Sequence, residues 1–374
     1  MERLIALFLR AETDIINEIA RLRAKQLIDY HTVAALERVQ AILNELQTES
    51  WKYVPKMIEQ TFYERVPEAY RLLQPREKHQ AGYYNARVLT STQHAVVDVL
   101  VGNLMGEIVD ACNTVDTTLR GAIIGPQQPG VIRNIALEIS AGMQAGDPRA
   151  GLPAFVDRLR REGIRAFTDR AGRDWSLHTY GSMVLRTTNR QAEVMAVLTA
   201  DDAHDLYQIS SHGTTCKLCA PYEGRVYSKS GNDPDFPPLA DAFGKVDPAG
   251  PDILSNTWLN IHPGCLHSVY PWTAAGRTPE EIQKIKDFSN PAKNPYSVDP
   301  RTQKQVEAYR KKEAGRRKWL ADYRQWEKYR ITIPDATPKT FATFQKHKQA
   351  DDAKYREWKR LYREANRESD ADID

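Results

Sequence analysis

Apolar residues recur at three- and four-residue intervals through the first third of the chain. Leu4, Phe8, Ile15, Ile19 and Leu22 form one stripe, and Val33, Leu36, Val39, Ile42, Leu43 and Leu46 a second. Trp51, Val54, Met57 and Ile58 continue the pattern. A longer stripe, from Thr92 to Leu119, carries Val96, Val97, Leu100, Val101, Leu104, Ile108 and Val109. At 3.6 residues per turn these positions share one side of a helix, so residues 1 to about 145 read as helical. Asp29 is a candidate helix start, GPQQPG at 125–130 marks a break, and shorter helices are expected near 131–145 and 152–163. Such stripes either pack together in a bundle or dock on a partner, and bundle packing is the expectation.

From Gly163 the texture changes. IRAFTDRAGRDWSLHTY has turn residues Asp169–Gly172 between two extended runs, which predicts a β-hairpin. Ser176 reads as the N-cap of a helix reaching about Ala200. DLYQIS (205–210) and GRVYS (224–228) are strand candidates, and LNIHPGCLHSVYPW (259–272) ends in another. FSNPAKNPYSVDP (288–300) reads as a linker. The fold class expected is therefore mainly α with a small α+β module. It divides into a helical docking domain (1–160), the CxxC/HPxCxH module (161–287), and a linker with a basic helical tail (288–374).

Charge changes the picture only at the C-terminus. Residues 301–374 hold 20 Lys or Arg against 13 Asp or Glu, a net +7; with the whole chain at +3, the first 300 residues carry −4. Tyr309, Trp319, Tyr323, Trp326, Tyr329, Phe341, Phe344, Tyr355, Trp358 and Tyr362 are interspersed among these charges. Such a segment contacts DNA through phosphates and base stacking, or is a solvated helical hairpin with packed aromatics. Packing is the leading expectation, because charge runs mostly mark wetted faces. The apolar run Leu4–Leu9 stops at Arg10 and Glu12 without a cleavage site, so it reads as a helix start. No apolar run approaches the roughly 20 residues that span a bilayer, and the expectation is a soluble protein made in a cytoplasm.

Candidate chemistry concentrates in two segments. SSHGTTCKLCAPYEGRVYS (210–228) contains Cys216 and Cys219, and LNIHPGCLHSVYPW contains His262, Cys265 and His267. A C-x-x-C turn aims two sulfurs at one point, and zinc takes four thiolate or imidazole ligands at tetrahedral positions. Cys265 and His267 would share one side of a strand, whereas His262 and Cys265 would form a second knuckle in a turn. A Cys3His site follows either way, with His212 as a substitute ligand. Bound zinc could contribute on the order of 10 kcal/mol to the folding of a small domain, and the loop between the segments, rich in Pro, Gly and Asp, looks too poor in apolar residues to pack alone. Simple packing of free thiols is the competing reading, and a redox pair is disfavoured because no βαβ pattern surrounds it.

Catalytic signatures are scarce. No His is followed two residues later by Glu, and no H-E-x-x-H, Walker A, G-x-G-x-x-G or G-x-S-x-G occurs. Glu223 and His212 are the acid/base candidates for an alternative, a metal-dependent hydrolase or nuclease. On the helix VLRTTNRQAEV, Arg186, Arg190 and Glu193 are spaced for ion pairing.

The order SSHGTTCKLCAPYEGRVYS, FPPL, LNIHPGCLHSVYPW resembles the phage minor capsid protein 2 family and the wider group of Mu F-like head morphogenesis proteins. VLRTTNRQAEV, AETDIINEIARLRAK and DPRTQKQVEAYRKKE resemble the same family, so the likeness covers almost the whole chain. His267 stands where the related group commonly has a cysteine. The resemblance implies a non-enzymatic structural protein of a tailed-phage head, carried in the virion after synthesis in the host cytoplasm. It implies association with the portal or major capsid protein at the portal vertex and a place near packaged double-stranded DNA, with no membrane or small-molecule substrate.

Overall fold

The apolar stripes become helices. The computed structural model describes residues 1–24, 30–73, 88–123, 165–168, 174–243, 245–246, 257–258, 260–262 and 264–371. The first stripe is α1 (Glu2–Ala24), the next two join in α2 (Tyr30–Leu73), and the fourth is α3 (Ser91–Ile123). Phe8, Ile15, Ile19, Leu36, Leu43, Val54, Ile58, Leu104 and Ile108 are all buried. Trp51 departs from its expected place: it is 53% exposed, while Ser50 beside it is fully buried. Asp29, GPQQPG, the helices expected at 131–145 and 152–163, and the hairpin turn lie outside the described residues.

The chain forms two compact units, each assembled from separated stretches. One comprises Glu2–Ser50, Glu107–Ser182 and Gly315–Asp374; the other comprises Met1, Trp51–Gly106 and Met183–Ala314.

In the first of these, β1 (Arg165–Thr168) and β2 (Asp174–Ser176) pair antiparallel, as the hairpin reading requires. Ser176 then caps α4 (Leu177–Leu198), its Oγ accepting from the Thr179 N–H at 3.5 Å. The C-terminal part of α7 (Gln303–Thr332), with α8 (Phe341–Ala350) and α9 (Ala353–Ala371), supplies an aromatic interior. Trp319 stacks on Tyr323 with centroids 5.4 Å apart, and Phe341 meets both edge-on. Phe344 stacks on Trp358 and Tyr329 on Tyr362. Trp326 is fully buried and donates from Nε1 to the Pro338 carbonyl at 3.0 Å. The tail aromatics therefore take the packing reading. Arg330 Nε donates to Asn17 Oδ1 at 2.8 Å, and Asn17 Nδ2 donates to the Lys339 carbonyl, which ties α1 to the C-terminal helices. Gly181 allows close approach here, because a Cβ on it would sit 2.2 Å from Phe8 Cδ1.

The other unit holds the sheet. β3 (Leu206–Ile209) lies between β4 (Val226–Ser228) and β7 (Val269–Pro271), antiparallel to both. Between β4 and β7 lie the short helix α5 (Ala240–Phe243) and a small pair, β5 (Lys245–Val246) with β6 (Thr257–Trp258). Val226, Phe236 and Trp272 form an apolar cluster with Leu206 and with Ile282 and Ile285 of α6 (Pro279–Ser289), a helix opened by a Thr278/Glu281 capping box. The described part of the loop after β4 thus packs better than its composition predicts. Asp233 Oδ1 accepts the Asp235 and Phe236 N–H groups, turning Phe236 inward against Trp272. The 288–300 stretch, read as a linker, also packs on the module: Ser289 Oγ accepts the Val226 N–H, Tyr296 stacks on Tyr222, and the buried Arg225 guanidinium lies 4.6 Å from the Tyr296 ring centre.

One buried acid in the helical unit gives a pH test. Glu12 is 1% exposed, and burial raises its carboxyl above the usual range, against hydrogen bonds from the His178 N–H, Ser176 and Tyr323. A raised folded-state pKa contributes stability that is present below the unfolded value and lost as pH rises through the folded one. The melting temperature of the wild-type chain should therefore fall relative to that of Glu12→Gln as pH climbs from about 4 to 8. Parallel melting curves across that range would contradict a strained buried carboxyl.

Candidate metal centre

Antiparallel pairing brings the two candidate segments together. The chain leaves the end of β3 into the first segment and returns into β4, and the second segment leads into β7. Because β4 and β7 both run opposite to β3, both segments lie at one end of the sheet, where β3 ends and β4 and β7 begin. Each segment folds into the same kind of turn. The Cys219 and Ala220 N–H groups donate to the Cys216 carbonyl at 3.2 and 3.0 Å. The Cys265 N–H donates to the His262 carbonyl at 3.0 Å, a turn that requires Gly264 in the left-handed region at φ 74°. The Gly264 N–H in turn donates to Thr187 Oγ1 of α4 at 2.9 Å, so that helix holds the second knuckle.

The turns face each other in matched order. Cys216 Sγ lies 3.3 Å from His262 Nε2, and Cys219 Sγ lies 3.7 Å from Cys265 Sγ, each pair 46 residues apart in sequence. Zinc–sulfur bonds of about 2.3 Å in a tetrahedron place neighbouring sulfurs about 3.8 Å apart, and zinc–nitrogen bonds of about 2.0 Å put sulfur and nitrogen about 3.5 Å apart. The observed edges have that size. Ligand atoms converge as two overlapping groups, Cys216–Cys219–His262 and Cys219–Cys265–His267, each within 4.8 Å, with Cys219 common to both. All five expected ligands are brought together.

His267 occupies a distinct position in this set. Its Nδ1 faces Cys265 Sγ at 3.3 Å, and its Nε2 meets Glu223 Oε1 at 2.6 Å. The same carboxylate oxygen accepts the His212 N–H at 2.8 Å. Glu223, a candidate acid or base by sequence, thus positions two histidines. His212 lies outside both ligand groups: its Nε2 meets Ser210 Oγ at 3.1 Å, and its ring packs edge-on against His267.

The electrostatics are those of crowded sulfurs. Hydrogen bonding from Cys219 and from His262, against burial, pulls Cys216 down to about 4. Cys219 and His267 likewise lower Cys265 to about 3. Cys219 itself is raised, because its proton is shared with both neighbouring sulfurs. Burial opposes a charge on His267, but bonding to Cys265 and Glu223 outweighs it and lifts the imidazole to about 9. A divalent cation would take over the role of these protons.

The chain matches the phage minor capsid protein 2 family over residues 1–325, a span that contains both knuckles. The chain belongs to the phage minor capsid protein 2 family. No curated protein and no solved structure shows a significant match. Membership gives this minor capsid protein a structural role in a phage. The match ends within α7, so α8 and α9 lie beyond it. No described helix is long and apolar enough to cross a membrane.

Three supporting residues escaped the sequence reading. Thr187 caps the second knuckle, Ser210 Oγ accepts the Ser268 N–H at 3.1 Å, and Arg301 Nη1 donates to the Thr215 carbonyl at 3.2 Å. Their signal is conformational and leaves no spacing motif. Arg190 and Glu193 do pair as their spacing predicts, and Arg65 of α2 joins Glu193 at 3.4 Å. Thr187→Val should lower stability by about 1 kcal/mol, the net worth of one such hydrogen bond, while leaving metal stoichiometry unchanged. Denaturant titration with metal analysis checks this, and unchanged stability would mean that α4 does not brace the knuckle.

Proposed function

We propose that this minor capsid protein is a structural component of a tailed-phage head at the portal vertex, built around a zinc-clamped sheet module. Cys216, Cys219, His262 and Cys265 hold the ion, two from each knuckle. His267 buttresses the Cys265 thiolate while fixed by Glu223, a supporting carboxylate of the kind that commonly orients metal-site histidines. The single observation that carries the clamp is the matched facing of two like turns, with edges of tetrahedral size. Zinc there supplies structure: a closed four-ligand set leaves no position for a substrate.

The helices offer docking surface to portal or major capsid subunits, and the cationic C-terminal region faces the packaged genome. Family membership and the net +7 of residues 301–374 support this reading.

Purified virions carry the test. Mass spectrometry should find the chain in mature heads at few copies, with chemical cross-links to the portal; absence from heads, or cross-links only to tail-tip proteins, would contradict the placement. The clamp and the chemistry separate by mutation. Cys216→Ser should unfold the sheet module and abolish incorporation, whereas Glu223→Gln should preserve both. A Glu223→Gln chain that folds and incorporates normally but loses a hydrolytic activity of the wild type would favour an enzyme.

A further inference from the structure

Helix α7 is buried only over its second half. From Gln303 to Ala321 no side chain is buried, although the helix is continuous through them. Within that stretch RKKEAGRRK (310–318) carries six cations, Arg310, Lys311, Lys312, Arg316, Arg317 and Lys318, against one acid, Glu313. All six are exposed. At 100° per residue they fall all round the axis, and no arc wider than about 100° lacks one.

We infer that residues 310–318 lie in the major groove of double-stranded DNA and bind its phosphates without reading sequence. This rests on the genome-facing reading above and assigns its contact.

The distribution of charge decides the class of partner. A helix bound to a membrane surface needs an apolar face opposite its cations, and this segment has cations on every side. A flat acidic protein surface would be met by one charged stripe, leaving the remaining cations solvated. The major groove, about 12 Å wide, admits a helix and flanks it with phosphates on two opposite sides, so cations on both flanks find partners where a flat surface would meet only one. Arg and Lys there act through counterion release, which carries no sequence preference. Trp326, Phe344 and Trp358 take no part, because they are interior.

The test uses the full chain and a 30-base-pair duplex of arbitrary sequence, read by fluorescence anisotropy from 50 to 300 mM salt. A six-site variant carries Arg310→Gln, Lys311→Gln, Lys312→Gln, Arg316→Gln, Arg317→Gln and Lys318→Gln. A control carries Arg356→Gln, Arg360→Gln and Arg363→Gln on exposed positions of α9. Circular dichroism melts confirm that both remain folded. The expected result is at least a hundredfold loss of duplex affinity in the six-site variant, with the salt slope reduced by about 0.9 for each phosphate contact removed. The control should change less than threefold.

Wild-type and six-site chains binding the duplex alike would overturn the assignment while leaving the genome-facing reading intact. No duplex binding by the wild type at 50 mM salt would overturn both. Binding to a 30-base single strand or to phosphatidylserine vesicles as tight as to the duplex would overturn the groove.

Discussion

Three sulfurs crowded at one end of the sheet, with Cys219 common to the groups that hold Cys216 and Cys265 and 3.7 Å from the latter, are the constraint around which the sheet module is built. Thiolates so placed repel, and burial adds the cost of removing each charge from solvent. Protons relieve part of that repulsion: Cys219 keeps its own, and His267 holds a positive charge between Cys265 and Glu223. A divalent ion bound there would relieve it further and would link stretches 46 residues apart. The sheet's antiparallel order, the left-handed Gly264 and the Thr187 cap all serve that meeting.

The clamp does not work alone. The module has an apolar cluster, small but well formed, of Val226, Phe236 and Trp272 with two isoleucines of α6. Phe236 sits amid Asp, Pro and Gly, and nothing in that composition predicts its burial; its place comes from an Asp233 turn. The 288–300 stretch straps the same module through Ser289 and Tyr296. The candidate ligands gather at the connection end of the sheet, and the apolar cluster packs the sheet against α6.

What was legible in the chain follows physical rules of short range. Helical stripes, strand alternation and the Ser176 cap depend on neighbours a few residues away, and they appear where spacing puts them. That Cys216, Cys219, His262, Cys265 and His267 gather at one place was legible, because thiols and imidazoles at turn spacing in two segments point to a common centre. Less legible were features set by the partner surface. Trp51 fits its stripe by spacing but faces outward, and Glu223 has the look of a catalytic acid yet positions two histidines. The tail's aromatics and charges are mixed in sequence, and only the fold separates them: rings inward on α7, α8 and α9, cations outward on the first half of α7. Likewise, the compact units gather stretches far apart in the chain, whereas composition varies only along it.

X-ray absorption at the zinc edge of the purified chain reaches the central claim most directly. Three sulfur neighbours at about 2.3 Å and one nitrogen at about 2.0 Å, with no oxygen, are the shell the two facing knuckles require. A chain that purifies folded without stoichiometric metal, or a shell containing a water oxygen in place of one protein ligand, would contradict it.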